Sequence, residues 1–297
     1  MNTRNSIGVD IGGTNLRAAL VTSDGQILKK EKISSSGDVL SKLIDTIEIL
    51  YSSDVTGIGL AIPGIVDRKK GVMSVSPNIP SIAGVKIASI LEERFKIPIE
   101  FGNDASCAAL GEGVCGAGAG LDTFVMLTLG TGIGGGVVYN GLLLETATEL
   151  GHITIERQGV KCSCGNYGCL EAYAGAGSII NRAIKQGISR HRDISTITPE
   201  DIYRYAKDGD SVSIEILKDA GRYLGIGMAN LINIFSPEAV IIGGGIAGAW
   251  DIMVKEAINE ASKRSFKELF EGIIIVPAAL GDDAGLIGAS HLVKGKK

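Results

Sequence analysis

Apolar positions in this chain switch between the two-residue period of strands and the three-to-four-residue period of helices. Ile7, Val9 and Ile11 alternate with small or polar residues, and Gly12-Gly13-Thr14 turns the chain. Leu16, Ala18 and Leu20 then alternate again up to Asp24-Gly25, which reads as strand, turn and strand closed by a hairpin signal. Leu40, Leu43, Ile44 and Ile47 space a helix over residues 39–51, and the apolar run Val55–Ile62 is a buried strand stopped by Pro63-Gly64. Ile87, Ile90, Leu91 and Phe95 mark a second amphipathic helix, followed by a short strand at 98–101. Asn103-Asp104 opens the next helix, with Asp104 a natural N-cap.

After the small residues of 116–120, a boundary signal, the theme recurs. A strand over 122–129 runs into Gly130-Thr131-Gly132-Ile133-Gly134-Gly135-Gly136, then 137–139 and the turn Asn140-Gly141. The uncharged run 123–144 is long enough to cross a bilayer, but six glycines argue against a helix there. It reads as two buried strands flanking a glycine-rich loop. The second half is mainly helical. A helix of about 25 residues from Ser211 carries Ile216, Ala220, Leu224, Met228 and Leu231 as its buried stripe and ends at Pro237. A strand at 239–242 feeds Gly243-Gly244-Gly245, and a last helix runs from Asp283 to about Leu292. A strand hairpin around a glycine turn thus opens each of two lobes, a duplication of architecture. The expected division is a small α/β lobe at 1–116, to which a helix at 284–297 returns, and a larger α/β lobe at 117–283.

Glycine fills 42 of 297 positions, roughly twice ordinary usage, which fits tight backbone turns in a folded chain. With 29 Lys and Arg against 33 Asp and Glu there is no basic excess to hold nucleic acid or an anionic membrane. Arg4 and Asp10 bracket only five residues, too few for a secretory core, and five cysteines is an odd number. A soluble, cytoplasmic protein is expected.

The glycine runs suggest phosphate chemistry. Asp10-Ile11-Gly12-Gly13-Thr14 sets a carboxylate at a strand end beside bare N–H groups, which suits an anion and a water-bound Mg²⁺. Alone it is equally an ordinary Gly-Gly hairpin. Five glycines within 130–136 are costly in a strand interior and point to close approach of a ligand. Neither run has the P-loop or dinucleotide-binding spacing. His152, Cys162, Cys164 and Cys169 follow His-x9-Cys-x-Cys-x4-Cys, one imidazole and three thiolates for a closed structural Zn²⁺ site; free buried cysteines are the alternative. Cys107 and Cys115 read as small core residues, and His191 and His291 as surface histidines.

With these residues in hand, the chain resembles the ROK family of sugar kinases, within the actin/hexokinase/Hsp70-like ATPase superfamily. The resemblance covers essentially the whole chain. It rests on Asp10 to Thr14, Ile62-Pro63-Gly64-Ile65-Val66-Asp67, Pro77-Asn78, Gly102-Asn103-Asp104-Ala105, Leu129 to Gly136, Glu149-Leu150-Gly151-His152, residues 162–171, Gly243 to Gly245 and Gly281-Asp282-Asp283-Ala284-Gly285. It implies a two-lobed α/β fold, actin-like and ribonuclease H-like, that clasps ATP and a hexose in an interlobe cleft beside a small zinc-bound loop. Asp10, Gly12, Gly13, Thr14, Gly130, Thr131, Gly132, Gly134 and Gly135 would cradle the ATP phosphates with their Mg²⁺, and Gly244 and Gly245 would lie near the adenosine. Asp104 would be the general base. Asn78, Asn103, Asp104, Glu149, His152 and Glu171 would bind the sugar, with Gly64 and Asp67 in a turn beside it. One His152 nitrogen would hold zinc while the other faces the sugar.

The resemblance further implies ATP-dependent phosphorylation of the 6-hydroxyl of glucose by a homo-oligomer, a dimer or tetramer. Fructose, allose, N-acetylmannosamine and N-acetylglucosamine are the alternative substrates. A sugar sensor without catalysis is the rival of another class, but Asp10 and Asp104 are both present. A repressor would place a winged-helix segment before a first strand that here starts by Ile7. A chaperone ATPase would need a peptide-binding domain beyond 297 residues. One departure stands out: the segment Leu142-Leu143-Leu144-Glu145-Thr146-Ala147-Thr148 is shorter than its counterpart in many members. Glu145 therefore competes with Glu149, though the frame shared with His152 favours Glu149. A short loop offers less slack for a 2-acetamido group, which favours glucose.

Overall fold

In the computed structural model, which describes residues 4–67, 72–75, 84–144, 148–188 and 193–294, the first hairpin forms as its alternation predicts. β1 (Asn5–Ile11) and β2 (Asn15–Val21) pair antiparallel, with Ile7 opposite Leu20 and Val9 opposite Ala18. β3 (Ile27–Ser34) continues the meander beyond Gly25, whose φ of 90° explains a glycine at that turn. α1 (Val39–Leu50) starts at Asp38, whose side chain accepts from the Ser41 N–H, and it buries Leu43 and Ile47. β4 (Val55–Ile62) runs parallel to β1; β5 (Ile65–Asp67) and β6 (Val72–Val75) form a separate ribbon. After α2 (Ile87–Phe95), β7 (Ile99–Asn103) joins parallel to β4 and leads into α3 (Asp104–Cys115). The sheet order is β3-β2-β1-β4-β7.

The theme then repeats. β8 (Phe124–Leu129), β9 (Ile133–Tyr139) and β10 (Leu142–Leu143) precede α4 (Glu171–Ala174), α5 (Ala176–Gln186), α6 (Pro199–Lys207) and α7 (Ser211–Phe235). β11 (Ala239–Gly243), α8 (Lys255–Arg264), α9 (Lys267–Glu271), β12 (Ile274–Pro277) and α10 (Ala284–Leu292) follow. The second sheet has the order β10-β9-β8-β11-β12, the same plan as the first: hairpin arms on one side, parallel strands on the other. The helix expected from Ser211 is α7. Its stripe is buried as expected and widened by Leu217 and Ile232, and Ser236 ends it with a positive φ before Pro237.

The chain divides into two units. One comprises Met1–Asp122, Gly136–Ala147 and Ala278–Lys297; the other comprises Thr123–Gly135 and Thr148–Pro277. The chain therefore changes unit inside β9, between Gly135 and Gly136. In the first unit, Ile7, Val9, Ile11, Ile58, Leu60 and Ile62 face α1 and α2 across a closed apolar core. The opposite faces of β1 and β4 carry Gly8, Gly57, Gly59 and Ala61, and α10 lies on them. A Cβ at Gly8 would overlap the Leu286 carbonyl, and one at Gly59 the Ala289 carbonyl. Gly111 of α3 and Gly288 of α10 allow the same approach between those two helices.

Three expectations change here. Residues 134–136 are not loop: β9 begins at Ile133, because the turn closes within three residues when the Gly130 N–H donates to the Gly132 carbonyl at 2.9 Å. Cys115 is exposed at the end of α3 rather than in the core, whereas Cys107 is buried. His291 is half-buried rather than fully at the surface: on α10 its Nδ1 lies 2.9 Å from the Ile287 carbonyl and its Nε2 3.2 Å from the Ser23 carbonyl. His191 lies outside the described residues. Among those described, no helix is long and apolar enough to cross a membrane; the 123–144 run forms strands instead.

Candidate functional site

In the first unit the candidate residues gather at the carboxyl edge of the parallel strands. Asp10 is in register with Ala61, and Ala61 with Gly102, so the Cα atoms of Asp10 and Gly102 are two strand spacings apart, roughly 10 Å. Carboxyl ends of parallel strands are where open α/β sheets take ligands. Beyond Asp10 the chain turns tightly, the Gly12 N–H donating to the Asn15 carbonyl at 2.9 Å, with Gly13 and Thr14 exposed.

Beyond Gly102 the helix start differs from the expected one. Asn103, not Asp104, is the N-cap of α3: its Oδ1 accepts from the N–H groups of Ala105 at 2.9 Å and Ser106 at 3.2 Å. Its Nδ2 donates to the Gly64 carbonyl at 3.3 Å. Asn103 still has extended backbone, whereas Asp104 has joined the first turn. The Asp104 carboxylate is thus exposed at a helix N-terminus, where the helix dipole favours negative charge, and its Oδ1 accepts from the Ala105 N–H at 2.8 Å.

An ion cluster at this edge was absent from the sequence reading. The Arg17 guanidinium pairs with the Asp10 carboxylate and lies 3.1 Å from Asp282, while Lys30 pairs with Asp283. The signal was available, since the hairpin register sets Asp10 directly opposite Arg17.

In the second unit, two glycine segments share the carboxyl edge of β8 and β11. Gly130, Thr131 and Gly132 form the turn after β8. Gly243, the last residue of β11, is in register with Thr128, so Gly244 and Gly245 emerge beside that turn, exposed. Gly244 has φ 87°, and the Leu129 carbonyl occupies the place of its absent side chain. Gly135, by contrast, is buried in β9, where a Cβ would come within 2.6 Å of Leu150 and 2.7 Å of the Met126 carbonyl. Gly136 does the same against Ala109 and Ser106. Packing accounts for a glycine at both positions.

The Cys/His set comes together as its spacing requires. The ligand atoms of His152, Cys162, Cys164 and Cys169 all lie within 4.8 Å of one another. His152 Nδ1 is 3.6 Å from Cys162 Sγ, and Cys164 Sγ is 3.7 Å from Cys169 Sγ. Zinc–sulfur bonds of about 2.3 Å in a tetrahedron imply edges of about 3.8 Å, so the donor set and its dimensions fit Zn²⁺. Gly165 and Gly168, with φ of 94° and 74°, turn the loop back on itself. Burial and the adjoining thiols push Cys169 up to about 12, while the Asn166 backbone N–H holds Cys164 below the usual thiol range. Such crowding of thiols is relieved when a cation binds them as thiolates and their protons pass to solvent.

The other His152 nitrogen, Nε2, faces Glu149 at 4.0 Å. Glu171 opens α4. Its Oε2 accepts from the Ile133 N–H at 2.9 Å, and its Oε1 from the Ser163 hydroxyl at 3.1 Å. Asn78 and Glu145 lie outside the described residues, and Asp67 is placed by its backbone at the end of β5.

The ROK family model matches residues 6–296. A glucokinase of Thermotoga maritima is 37% identical over 97% of this chain and 96% of its own length; one of Halalkalibacterium halodurans is 34% identical over 99% and 96%. A xylose repressor of Caldicellulosiruptor bescii is 31% identical over 97% of this chain and 77% of its own length. A crystal structure of a ROK family glucokinase from Streptomyces griseus, in complex with glucose and AMPPNP, superposes with a TM-score of 0.81 at 29% identity, covering 98% of this chain and all of that one. The chain belongs to the ROK family, with an α/β fold of the actin/hexokinase-like ATPase superfamily.

Proposed function

We propose that the protein is an ATP-dependent sugar kinase that transfers the γ-phosphoryl group to the 6-hydroxyl of glucose. The observation that carries this reading is the placement of two carboxylates, Asp10 and Asp104, at the carboxyl ends of the parallel strands of one sheet. Phosphoryl transfer asks a protein mainly to position its reactants and neutralise charge, with one base for the attacking hydroxyl.

In this reading Asp104 accepts the proton of the 6-hydroxyl. Asn103, fixed by its cap and its bond to the Gly64 carbonyl, presents an amide to a neighbouring hydroxyl. Glu149, His152 Nε2 and Glu171 supply further partners for hydroxyls that both donate and accept. The N–H groups of Gly12, Gly13 and Thr14, and of Gly130 to Gly132, suit phosphate oxygens. Bound Mg²⁺ would neutralise phosphate charge, and Asp10, a hard oxygen ligand, suits it through water. Zn²⁺ held by His152, Cys162, Cys164 and Cys169 leaves no open position, so its part is to fix the loop that carries His152 and precedes Glu171.

Support for glucose comes from the glucokinase relatives and the short segment before Glu149. The test is a coupled ADP-release assay across glucose, 2-deoxyglucose, mannose, fructose, allose, N-acetylglucosamine and N-acetylmannosamine. Glucose should give the highest kcat/KM, 2-deoxyglucose a clearly lower one, and the acetamido sugars lower still. A higher kcat/KM for an N-acetylhexosamine would overturn the glucose assignment and leave the kinase intact. The xylose repressor relative favours a second reading, a sugar-responsive regulator. Sugar binding without turnover on any sugar would establish that reading instead.

A further inference from the structure

The zinc loop and the glycine turn after β8 are joined by one side chain. Glu171 follows the last cysteine ligand by two residues, and its two carboxylate oxygens point to different partners. Oε1 accepts from Ser163, which stands between the ligands Cys162 and Cys164; Oε2 accepts from the N–H of Ile133, the first residue after the Gly130 turn. Gly132 leaves no room for a side chain because Glu171 Oε2 fills the place of its Cβ. A second bond ties the same turn to the start of α5, the Ala176 N–H donating to the Gly130 carbonyl at 3.1 Å. The turn is therefore held from the side of the cysteine loop, within one unit of the chain.

We propose that Glu171 braces the glycine turn against the metal loop, with Ser163 as its positioning residue, so that zinc occupancy sets affinity for the phosphates of the nucleotide. The inference rests on the kinase reading and adds to it: the metal then serves the nucleotide as well as the sugar. Removing the metal frees the segment from Cys162 to Cys169. Ser163 then leaves Oε1, the carboxylate turns toward water, and the Ile133 N–H loses its acceptor. An N–H group released in this way changes the shape of the turn that Gly130 and Thr131 present. A carboxylate held from both ends also loses less freedom when a ligand binds.

Coupling of this kind is reciprocal: if zinc tightens nucleotide binding, nucleotide tightens zinc binding by the same factor. Calorimetric titration of AMPPNP into zinc-loaded and zinc-stripped protein should show at least about a fivefold weaker Kd without the metal. Ser163→Ala should keep its zinc yet reduce that ratio to below about twofold, and Ser163→Thr, which keeps the hydroxyl, should restore it. Where stripping the metal unfolds the protein, the reciprocal measurement decides. AMPPNP should raise zinc retention against a chelator in loaded wild type, and do so less in Ser163→Ala. Equal AMPPNP affinity with and without zinc, or a zinc retention that AMPPNP leaves unchanged, overturns the inference alone. So does a ratio that Ser163→Ala does not alter. A wild-type chain that binds no AMPPNP in either state overturns the kinase reading with it.

Discussion

Asp104 shows how a shift of one position changes what a residue can do. An N-cap carboxylate is committed to the helix N–H groups, but here Asn103 takes that role through two bonds. Asp104, in the first turn, then holds an exposed carboxylate at the positive end of α3. Asp104→Ala should therefore lower kcat by roughly 10²–10⁴-fold while leaving Tm close to wild type, because the cap survives. Near-wild-type turnover of the variant at saturating sugar would exclude Asp104 as the base. His291 illustrates the reverse case, a residue read as surface that the fold half-buries. Burial, and then the Lys294 ammonium, hold its imidazole below the ordinary value. The folded chain thus binds this proton less readily than the unfolded chain. Its stabilising share is complete above the unfolded value near 6.5 and is lost as pH falls below it. Tm measured from pH 8 to pH 5 should decline toward acid, and His291→Gln should flatten that decline.

At the scale of elements, legibility depends on whether the deciding partner is near in sequence. The β1–β2 hairpin, α1, α7 and the strand Val55–Ile62 follow from local periodicity, and the structure builds them where the pattern sets them. The glycines of β9 carry no periodicity, and what they pack on, Leu150 and Ala109, lies far along the chain. The reading assigned ligand contact to all of them, although only the first part of the run forms a turn. Likewise no strand was read at β12, a short edge strand whose ends are exposed. The metal loop was legible because cysteine spacing reports a constraint that is itself local. Elemental analysis of protein purified without added zinc should find about one Zn²⁺ per chain, and Cys164→Ser should lose it. For the contact between α10 and the first sheet, Gly59→Ala is the sharpest probe. Its methyl group would meet the Ala289 backbone, which cannot turn aside as a side chain can. The expected cost is about 1–3 kcal/mol, read as a lower Tm.

Across the whole molecule, two sheets of the same strand order each present glycine-bearing turns at a carboxyl edge. The chain changes unit between Asp122 and Thr123, Gly135 and Gly136, Ala147 and Thr148, and Pro277 and Ala278. A sequence reading sees the first of these as a boundary because small residues cluster there. The return of the C-terminal helix was also expected, from 284 on, whereas the middle two crossings fall within a strand or between ordinary residues, where nothing local marks them. The last crossing has the largest stability consequence, since it returns α10 to the face of β1 and β4 that bears Gly8, Gly57 and Gly59. A chain ended after Asp283 should lose cooperative unfolding of the first sheet, seen as loss of amide exchange protection in β1 and β4. Protection equal to that of the full chain would show that α10 is dispensable there.

That return of α10 also imposes an order in time. During synthesis, Gly59 leaves the ribosome 230 residues ahead of Ala289, the residue whose backbone it meets. At ordinary elongation rates the interval is about 10–50 s, far longer than a hairpin or helix takes to form. The first sheet can thus pair its strands early, yet one of its faces waits uncovered until α10 has been made. A ribosome that stalls just ahead of the codons for α10 would hold a nascent chain with every candidate catalytic and metal-binding residue already made, and with its oldest sheet still open to aggregation.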